Sequence, residues 1–546
     1  MDFPKYVAIN DNDMELAIRE GIAPMLTWYD SKRNYLPYFS LYVQEDFYGA
    51  GHHPSLSNVH VMGRYLEVLP KASRIANVEV PQEVYDHLRY WAFHIFDNEM
   101  EMPADLNLET LESLPSCDLH NLREAMFAFV GLLDLNPNDQ EALTMAKHLI
   151  RMVDRYFDYD TGKWKEKLFE QERHGKVWCC CCNEYEHFRF ASTVGRYIGA
   201  LVKLYKVSHL KEAVDQAVRL KNACFRFHLR EDGAFVGERF AEHVHSTTST
   251  LSGIAMLGDL LHDFSILERV KSFLDHGYYQ IALKDIGWCT ENGMRTDLIG
   301  EANDAAELME ACICLGNAGY EEYYSRAEKA LRCHILPMQL LDTSFLPNTP
   351  DEDDAKNQFA SRLKGACGQP SPYGHEYEPN TTLNYGGMLQ FNWDNLAGVI
   401  SGLCFAWNYR VTYHSGVASV NLQFDYKDEN ICIKSPYGND GVCMITLSKL
   451  MPVRIRLSDL TDRQAICMDL DREDISYTMD RNWLYLFCLP IDEPVAIPMH
   501  FVREIRDYTF NNHDLRFQFE GDHVIAARSK GKRLCFFPEL EEREQI

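Results

Sequence analysis

NLREAMFAFVGLLDLNPNDQEALTMAKHLIRMVDRYF, residues 121–157, is the stretch on which the fold turns. Apolar residues recur in it at three- and four-residue spacing, so it reads as two helices broken at an Asn- and Asp-rich turn. The first helix carries small residues and the second is more charged, the pattern of a helix hairpin. The pattern returns in 192–207 with 209–227, in 249–261 with 266–279, and in 303–319 with 321–336. Polar, aromatic and Gly-rich loops lie between pairs, such as FHLREDGAFVGERFAEHVHS (227–246) and KDIGWCTENGMRTD (284–297). A hairpin period of roughly 50 to 70 residues means an array of helix pairs. The chain before residue 410 holds about six of them, which predicts closure into an (α/α)6 toroid.

After Trp407 the periodicity changes. VASVNLQFDY (417–426), NICIKSPY (430–437), GVCMITLS (441–448), PVRIRLSDL (452–460), WLYLFCL (483–489), PVAIPMHFV (494–502), LRFQFEG (515–521), HVIAARS (523–529) and KRLCFFP (532–538) are short and alternating, with turn residues between them. This spacing predicts a C-terminal antiparallel β-sandwich. The expected domains are 1–410, a catalytic-type helical barrel, and 411–546, a β-sandwich.

Composition narrows the partners. With 46% apolar and 25% charged residues over 546 positions, the chain is neither disordered nor fibrous. A formal charge of −27 repels nucleic acid and anionic membranes. No stretch is apolar for long enough to span a bilayer. The N-terminus lacks the basic and apolar regions of a secretory signal, and seventeen cysteines is an odd number, so the expectation is reduced thiols in a cytoplasm. Cys179, Cys180, Cys181 and Cys182 are consecutive and cannot all converge on one ion, so they read as packing residues. No metal and no cofactor are expected, and an oligomer is compatible with the sequence. Phosphate-loop, dinucleotide, zincin and nucleophile-elbow motifs are all absent.

In a toroid of hairpins, the loops at one end surround a central hollow, so their polar and aromatic residues are the site candidates. GWCTENGMRTD with IGEANDAAEL (287–308) contributes Trp288 as a sugar-stacking face, with Glu291, Arg295, Asp297, Glu301 and Asp304. Glu301 and Asp304 can share one side of a first helical turn; helix capping is the competing explanation. AEHVHSTTST (241–250) contributes His243 and His245 as acid, base, hydroxyl-binding or metal-binding groups, with Ser246 or Thr247 able to cap the following helix. SPYGHEYEP (371–379) and QFNWDN (390–395) contribute Tyr373, His375, Glu376, Trp393, Asp394 and Asn395. LPYF (36–39) and GAGHHPSLSNVHVMGR (49–64) supply Tyr38, Phe39, His52, His53, His60 and Arg64, either as a rim or as a buried Arg–acid pair closing the first hairpin on the last.

The succession of EAND at Glu301–Asp304, the hairpin NAGYEEYYSRAEKALRCHIL, the loop before Asn392, VNLQF, ICIKSPY and VRIRL resembles glycoside hydrolases of family 127, the β-L-arabinofuranosidase kind. The resemblance implies a helical toroid with a β-sandwich, a carbohydrate substrate and Glu301 as an acid. That family also carries a Glu-x-Cys and a later Cys pair, whose thiolates hold zinc and supply the nucleophile. Here Asn303 stands at the first Cys position and the later pair falls near Asp394 and Asn395, so the zinc–thiolate chemistry does not carry over.

Glycoside hydrolysis needs two carboxyl groups, one of them protonated at working pH. The expected pair is Glu301 as general acid and Asp394 as base or nucleophile, with Asp304, Glu376 and Glu291 as substitutes. A lyase or sugar isomerase would instead rely on His243, His245, Tyr373 and Arg295. A non-catalytic carbohydrate-binding protein is the third possibility.

Overall fold

The computed structural model describes residues 1–541 apart from 45–46, 54–58, 181–189, 236–242, 278–279, 292–297, 376–388 and 530. Arg295, Asp297, Glu376, Cys181 and Cys182 lie outside the described residues.

Six helices form the centre: α1 His60–Ala76, α2 Leu122–Leu135, α3 Arg196–Ser208, α4 Val244–Leu261, α5 Ala302–Asn317 and α6 Trp393–Asn408. Each packs on the next, and α6 packs back on α1, so the contacts close on themselves. In α2, α4 and α5, Leu122–Leu133, Val244–Gly258 and Ala302–Gly316 are buried on every face, as helices walled in by neighbours must be. Their partners are amphipathic. Gln140–Tyr156 buries Ala142, Ala146, Leu149, Val153 and Tyr156 against α2 and sends its charges outward. Lys211–Phe227 and Phe264–His276 do the same against α3 and α4, Glu322–Ala330 packs on α5 but also buries Glu328 and Lys329, and Gln82–His94 backs α1. Met14–Met25 packs on both α1 and α6, across the seam where the cycle closes. Asp13, Asp139 and Asp263 accept first-turn N–H groups, which fixes where three of these outer helices begin.

Glycine sets how closely the inner helices approach. A Cβ at Gly63 would lie 1.9 Å from the Glu124 carbonyl oxygen, and one at Gly398 would lie 2.7 Å from Asn303 Cβ. Both glycines sit beside residues of the central polar cluster, so the close contacts bring the walls of that cluster together.

The chain is therefore mainly helical with a β-rich C-terminal region. Strands follow from Val411, in a five-stranded sheet (411–414, 417–420, 453–456, 483–487, 476–480), a four-stranded sheet (426–427, 431–434, 442–447, 495–498) and a three-stranded meander (503–510, 513–520, 523–527). The sheets are not wholly antiparallel as expected, since Val417–Val420 runs parallel to Val453–Arg456. The predicted strand over 532–538 makes only isolated bridges at Cys535. A helix, Arg463–Arg472, intervenes where the sequence suggested none. The first two sheets share a core of their own, whereas Phe510, Leu515, Phe517 and Phe519 of the meander join the core of the helices. Among the described residues, no helix is long and apolar enough to cross a membrane.

Candidate active site

The N-terminal ends of α4, α5 and α6 and the facing parts of α1, α2 and α3 converge on one buried polar cluster. Glu301 stands immediately before α5 in an extended conformation. Its main chain is pinned from both sides: Gly300 N–H donates to Pro370 O at 3.0 Å, and Ala302 N–H to Gly368 O at 3.3 Å. Its side chain makes no capping hydrogen bond. The capping explanation for Glu301 therefore fails, and the carboxyl group is aimed at the cluster instead. Ser246 does not cap either: α4 begins at Val244, with His245 inside its first turn, and Ser246 Oγ lies 2.6 Å from His243 Nδ1.

His245 is the centre of the arrangement. Its Nε2 faces Asn303 Nδ2 at 2.9 Å, Arg123 Nη2 at 3.1 Å and Arg64 Nη2 at 3.2 Å. All three are donors, so Nε2 is an acceptor and the ring proton is on Nδ1. Glu307 Oε1 also lies 3.2 Å from Nε2, but it accepts from Arg123 Nη1 at 2.8 Å. Nδ1 points at Glu301 Oε2, 3.7 Å away. Burial, reinforced by the Arg196, Arg123 and Arg64 charges, holds His245 well below its ordinary pKa. It is a neutral imidazole whose lone pair is already taken.

The arginines are fixed by Glu124, which is fully buried on α2. Its Oε1 accepts from Arg196 Nη2 at 2.7 Å, Arg123 Nη2 at 2.9 Å and Arg64 Nε at 3.2 Å. Burial would raise the Glu124 carboxyl, but the arginine charges outweigh it and hold the group well below the usual carboxylate range. Arg64 also donates Nη1 to the Asp394 carbonyl at 3.0 Å and lies 3.9 Å from its carboxylate. The Arg–acid contact closing the first helix pair on the last is thus present, between α1 and α6.

The two carboxyl groups singled out in the sequence are driven in opposite directions. Burial, then the Glu291 and Asp394 charges, pushes Glu301 up to about 8. Burial also pushes Asp394 up, but the His60 hydrogen bond, at 3.3 Å, and the Arg64 charge outweigh it and leave it below the ordinary range. Asp304, buried beside Glu301 and Glu307, is held well above its ordinary value by burial and then by their charges. At neutral pH Glu301 carries a proton and Asp394 does not. Glu301 Oε2, Asp394 Oδ1 and Asp304 Oδ2 are buried without a hydrogen-bond partner among the described residues. One imidazole and one guanidinium separate Glu301 from Asp394.

Histidines run in a chain of ring contacts through the cluster. His60 stacks on His120 with centroids 5.4 Å apart, His120 meets His243 at 5.4 Å, and His243 meets His245 at 5.8 Å. Ring nitrogens of His120, His243 and His245 lie within 4.8 Å of one another, a spacing that can hold a metal ion. The residues do not fit one, nor the zinc of family 127. Arg196 donates to His120 Nε2, Arg64 and Arg123 face His245, and Asn303 stands where the family has a thiolate. Three guanidinium cations at these donor atoms oppose a divalent ion. Cys289 and Cys367 are fully buried thiols, pushed up by burial.

Not every predicted residue belongs to the cluster. Trp288 is fully buried; its N–H donates to Pro370 O at 2.9 Å and its ring meets Phe510 edge-on at 5.2 Å. It offers no face to a sugar and instead joins the helices to the meander. Trp393 is equally buried, stacked on Trp28 at 5.5 Å. Tyr373 is buried where its carbonyl accepts from Phe536 N–H. His375 lies between Phe391 and Phe536, and burial lowers it to about 3. Glu291 is half-buried; its carbonyl accepts the Val244 N–H, tying the start of α4 to the segment before Glu301. Sequence reasoning missed Glu124, Arg123, Arg196, His120 and Glu307. The available signal was charge placed inside otherwise apolar helices, as in NLREAMFAF and TVGRYIGAL.

No protein-family model matches the chain, and no curated protein matches its sequence. Solved structures do. A glycoside hydrolase family 127 β-L-arabinofuranosidase from Geobacillus stearothermophilus T6 is 11% identical with a TM-score of 0.51, covering 93% of this chain and 80% of that one. A second family 127 β-arabinofuranosidase is 12% identical with a TM-score of 0.53, covering 96% and 84%. A D-mannose isomerase is 12% identical with a TM-score of 0.50, covering 72% of this chain and 97% of that one. At these identities the likeness is one of fold.

Proposed function

We propose that the chain is a glycoside hydrolase acting on oligosaccharides or glycosides, with Glu301 as general acid and Asp394 as general base or nucleophile. One observation carries the reading: two buried carboxyl groups in one polar cluster have their proton affinities driven apart, so that one is an acid and the other a base at the same pH. Protonated Glu301 delivers its proton to the leaving oxygen. Asp394, oriented by His60 and Arg64, acts on the anomeric carbon directly or through water. His245 directs its Nδ1–H at Glu301 and stabilises the carboxylate left after proton transfer. Asp304, Glu291 and His243 surround the pair, and Arg295 and Glu376 remain candidates from the adjoining loops. The closed contact cycle of α1–α6, each helix backed by an outer one, supports an (α/α)6 toroid over 1–410. The change to strands after Asn408 supports a β-sandwich unit over 411–546, docked through its meander. Buried free thiols such as Cys224, Cys312, Cys314 and Cys404 support a reducing, cytoplasmic setting.

A panel of aryl glycosides tests the assignment. Wild-type protein is expected to release the aryl alcohol from at least one member, with Glu301→Gln and Asp394→Asn each slower by about 100-fold or more. Full activity in both variants removes the roles. Binding without turnover favours a carbohydrate-binding protein.

The four neighbouring histidines support a second reading, a sugar isomerase, in line with the isomerase fold neighbour. Against it, His245 is a poor base because its lone pair is engaged by three donors, which leaves His243 for proton abstraction. Aldose–ketose exchange in deuterated water, measured by loss of the C2 proton, separates the two readings. An unsaturated product absorbing in the ultraviolet would indicate a lyase.

A further inference from the structure

Six arginines are almost wholly buried: Arg64, Arg123, Arg196, Arg332, Arg410 and Arg456. Five are ion-paired: Arg64, Arg123 and Arg196 with Glu124, and Arg332 and Arg456 with Glu328. Arg410 is the exception. It is 4% exposed, yet among the described residues no carboxylate forms an ion pair with it. Its Nε donates to Trp407 O at 3.0 Å and Nη1 to Asp425 O, while the Trp407 and Tyr426 rings lie against the guanidinium, 3.2 and 5.3 Å from its centre. Two acids of the surrounding wall are engaged elsewhere, Asp425 with Lys434 at 2.7 Å and Glu15 with Arg19. Burying a guanidinium without a counter-ion is costly, and carbonyl dipoles and aromatic faces offset only part of the charge.

Arg410 lines a groove of about 880 Å³ where the start of Met14–Met25, the end of α6 and the four-stranded sheet meet. Trp407 and Tyr426 give the groove half-buried aromatic surface, Lys427 adds a cation beside the Asp425-paired Lys434, and Asn12 and Asn439 add neutral polar groups. From Asp394 the α6 axis runs about 21 Å to its end at Asn408, so the groove is at the opposite end of the helices from the polar cluster.

We infer that this groove is a binding site for a carboxylate monoanion, held by the Arg410 guanidinium at the junction of helices and sheet. The planar guanidinium fork matches a carboxylate. A single negative charge matches the one guanidinium that lacks an ion pair, whereas the Asp13, Glu15 and Asp425 carboxylates lining the groove act twice as strongly against a dianion such as phosphate as against a monoanion. Aromatic surface and amide groups beside the cation suit an acid carried on a sugar ring, although a small organic acid presents the same group. The inference is independent of the reaction assigned to the axial cluster.

Calorimetric titrations at constant ionic strength, on the full chain, with sodium glucuronate, sodium acetate, glucose and inorganic phosphate, test it. Saturable binding of glucuronate or acetate is expected, weakened about tenfold or more in Arg410→Gln. Lys427→Glu, on the exposed wall, is expected to weaken it in the same direction and serves if Arg410→Gln does not fold. Glucuronate tighter than acetate identifies a sugar acid as the ligand; equal affinities identify a simple carboxylate. Absence of saturable carboxylate binding, affinities unchanged in the variants, or phosphate or glucose binding more tightly than both carboxylates overturns the assignment.

Discussion

The axial cluster and the junction between helices and sheets are built from the same kinds of residue and end in opposite states. At the junction, Glu328 accepts from Arg332 at 2.8 Å, from Arg456, and from Gln423 N–H at 2.9 Å. Asp522 accepts from Arg456 and from Ser458, each at 2.8 Å. Every carboxylate oxygen there has a partner, and Asp522 is driven down by Arg456 and Lys329 against the upward push of burial. In the axial cluster, Glu124 Oε1 accepts from three arginines, but Glu124 Oε2 and one oxygen each of Glu301, Asp394 and Asp304 are buried without a partner among the described residues. A buried charge network that closes on itself is glue, whereas one with unmatched oxygens and a displaced proton is poised for a ligand.

The sharpest way to break this contrast is to neutralise one acid of each kind. Glu301→Gln is expected to lower kcat/KM by about 10²- to 10⁴-fold while the fold survives, read by steady-state kinetics alongside circular dichroism. Glu328→Ala is expected to do the reverse, costing about 3–5 kcal/mol in urea unfolding because Arg332 and Arg456 lose their buried counter-ion, with activity per folded molecule preserved.

The pH dependence separates the two regions next. Glu301 binds its proton more tightly in the folded state, near 8, than a free glutamic acid does at about 4.5. It therefore withdraws stability as pH rises from about 4.5 to 8, and the loss is complete above that range. Glu301→Gln is thus expected to raise Tm by several degrees at pH 8 and to change it little at pH 4, measured by differential scanning calorimetry. Asp522 has the opposite sign: its stabilisation is present above the ordinary aspartate range and lost as pH falls through its lowered value.

The smallest expected effect is on the rate profile. The general-acid role proposed for Glu301 requires its protonated form, so kcat/KM is expected to fall on the alkaline side near pH 8. Glu291→Gln removes a charge that raises Glu301, so that limb is expected to move to lower pH by less than about one unit. A limb that stays in place means that another group titrates there.

The alternation of small-residue and charged helices in 121–157 was enough to foretell the helical part, because burial of one helix behind another imposes that pattern on any sequence. Glu301 and Asp394 were legible because each is an acid in an aromatic, glycine-rich loop next to a helix start. Trp288 and Trp393 were misread for a related reason. An aromatic beside such a loop looks like a sugar platform, and only the packing of Phe510 and Trp28 against them reveals wall rather than floor. Glu124, Arg123 and Arg196 were hidden inside helices, where a one-dimensional reading takes charge for an outward face.

Sequence by itself determined the helix pairs, most of the C-terminal strands and which acids stand at the helix starts, since periodicity and turn chemistry are local; it did not foretell the helix Arg463–Arg472. Tertiary structure alone decided which of those acids keeps its proton. Proton affinity depends on burial and on charges from six helices far apart in the chain, and no local pattern encodes their meeting.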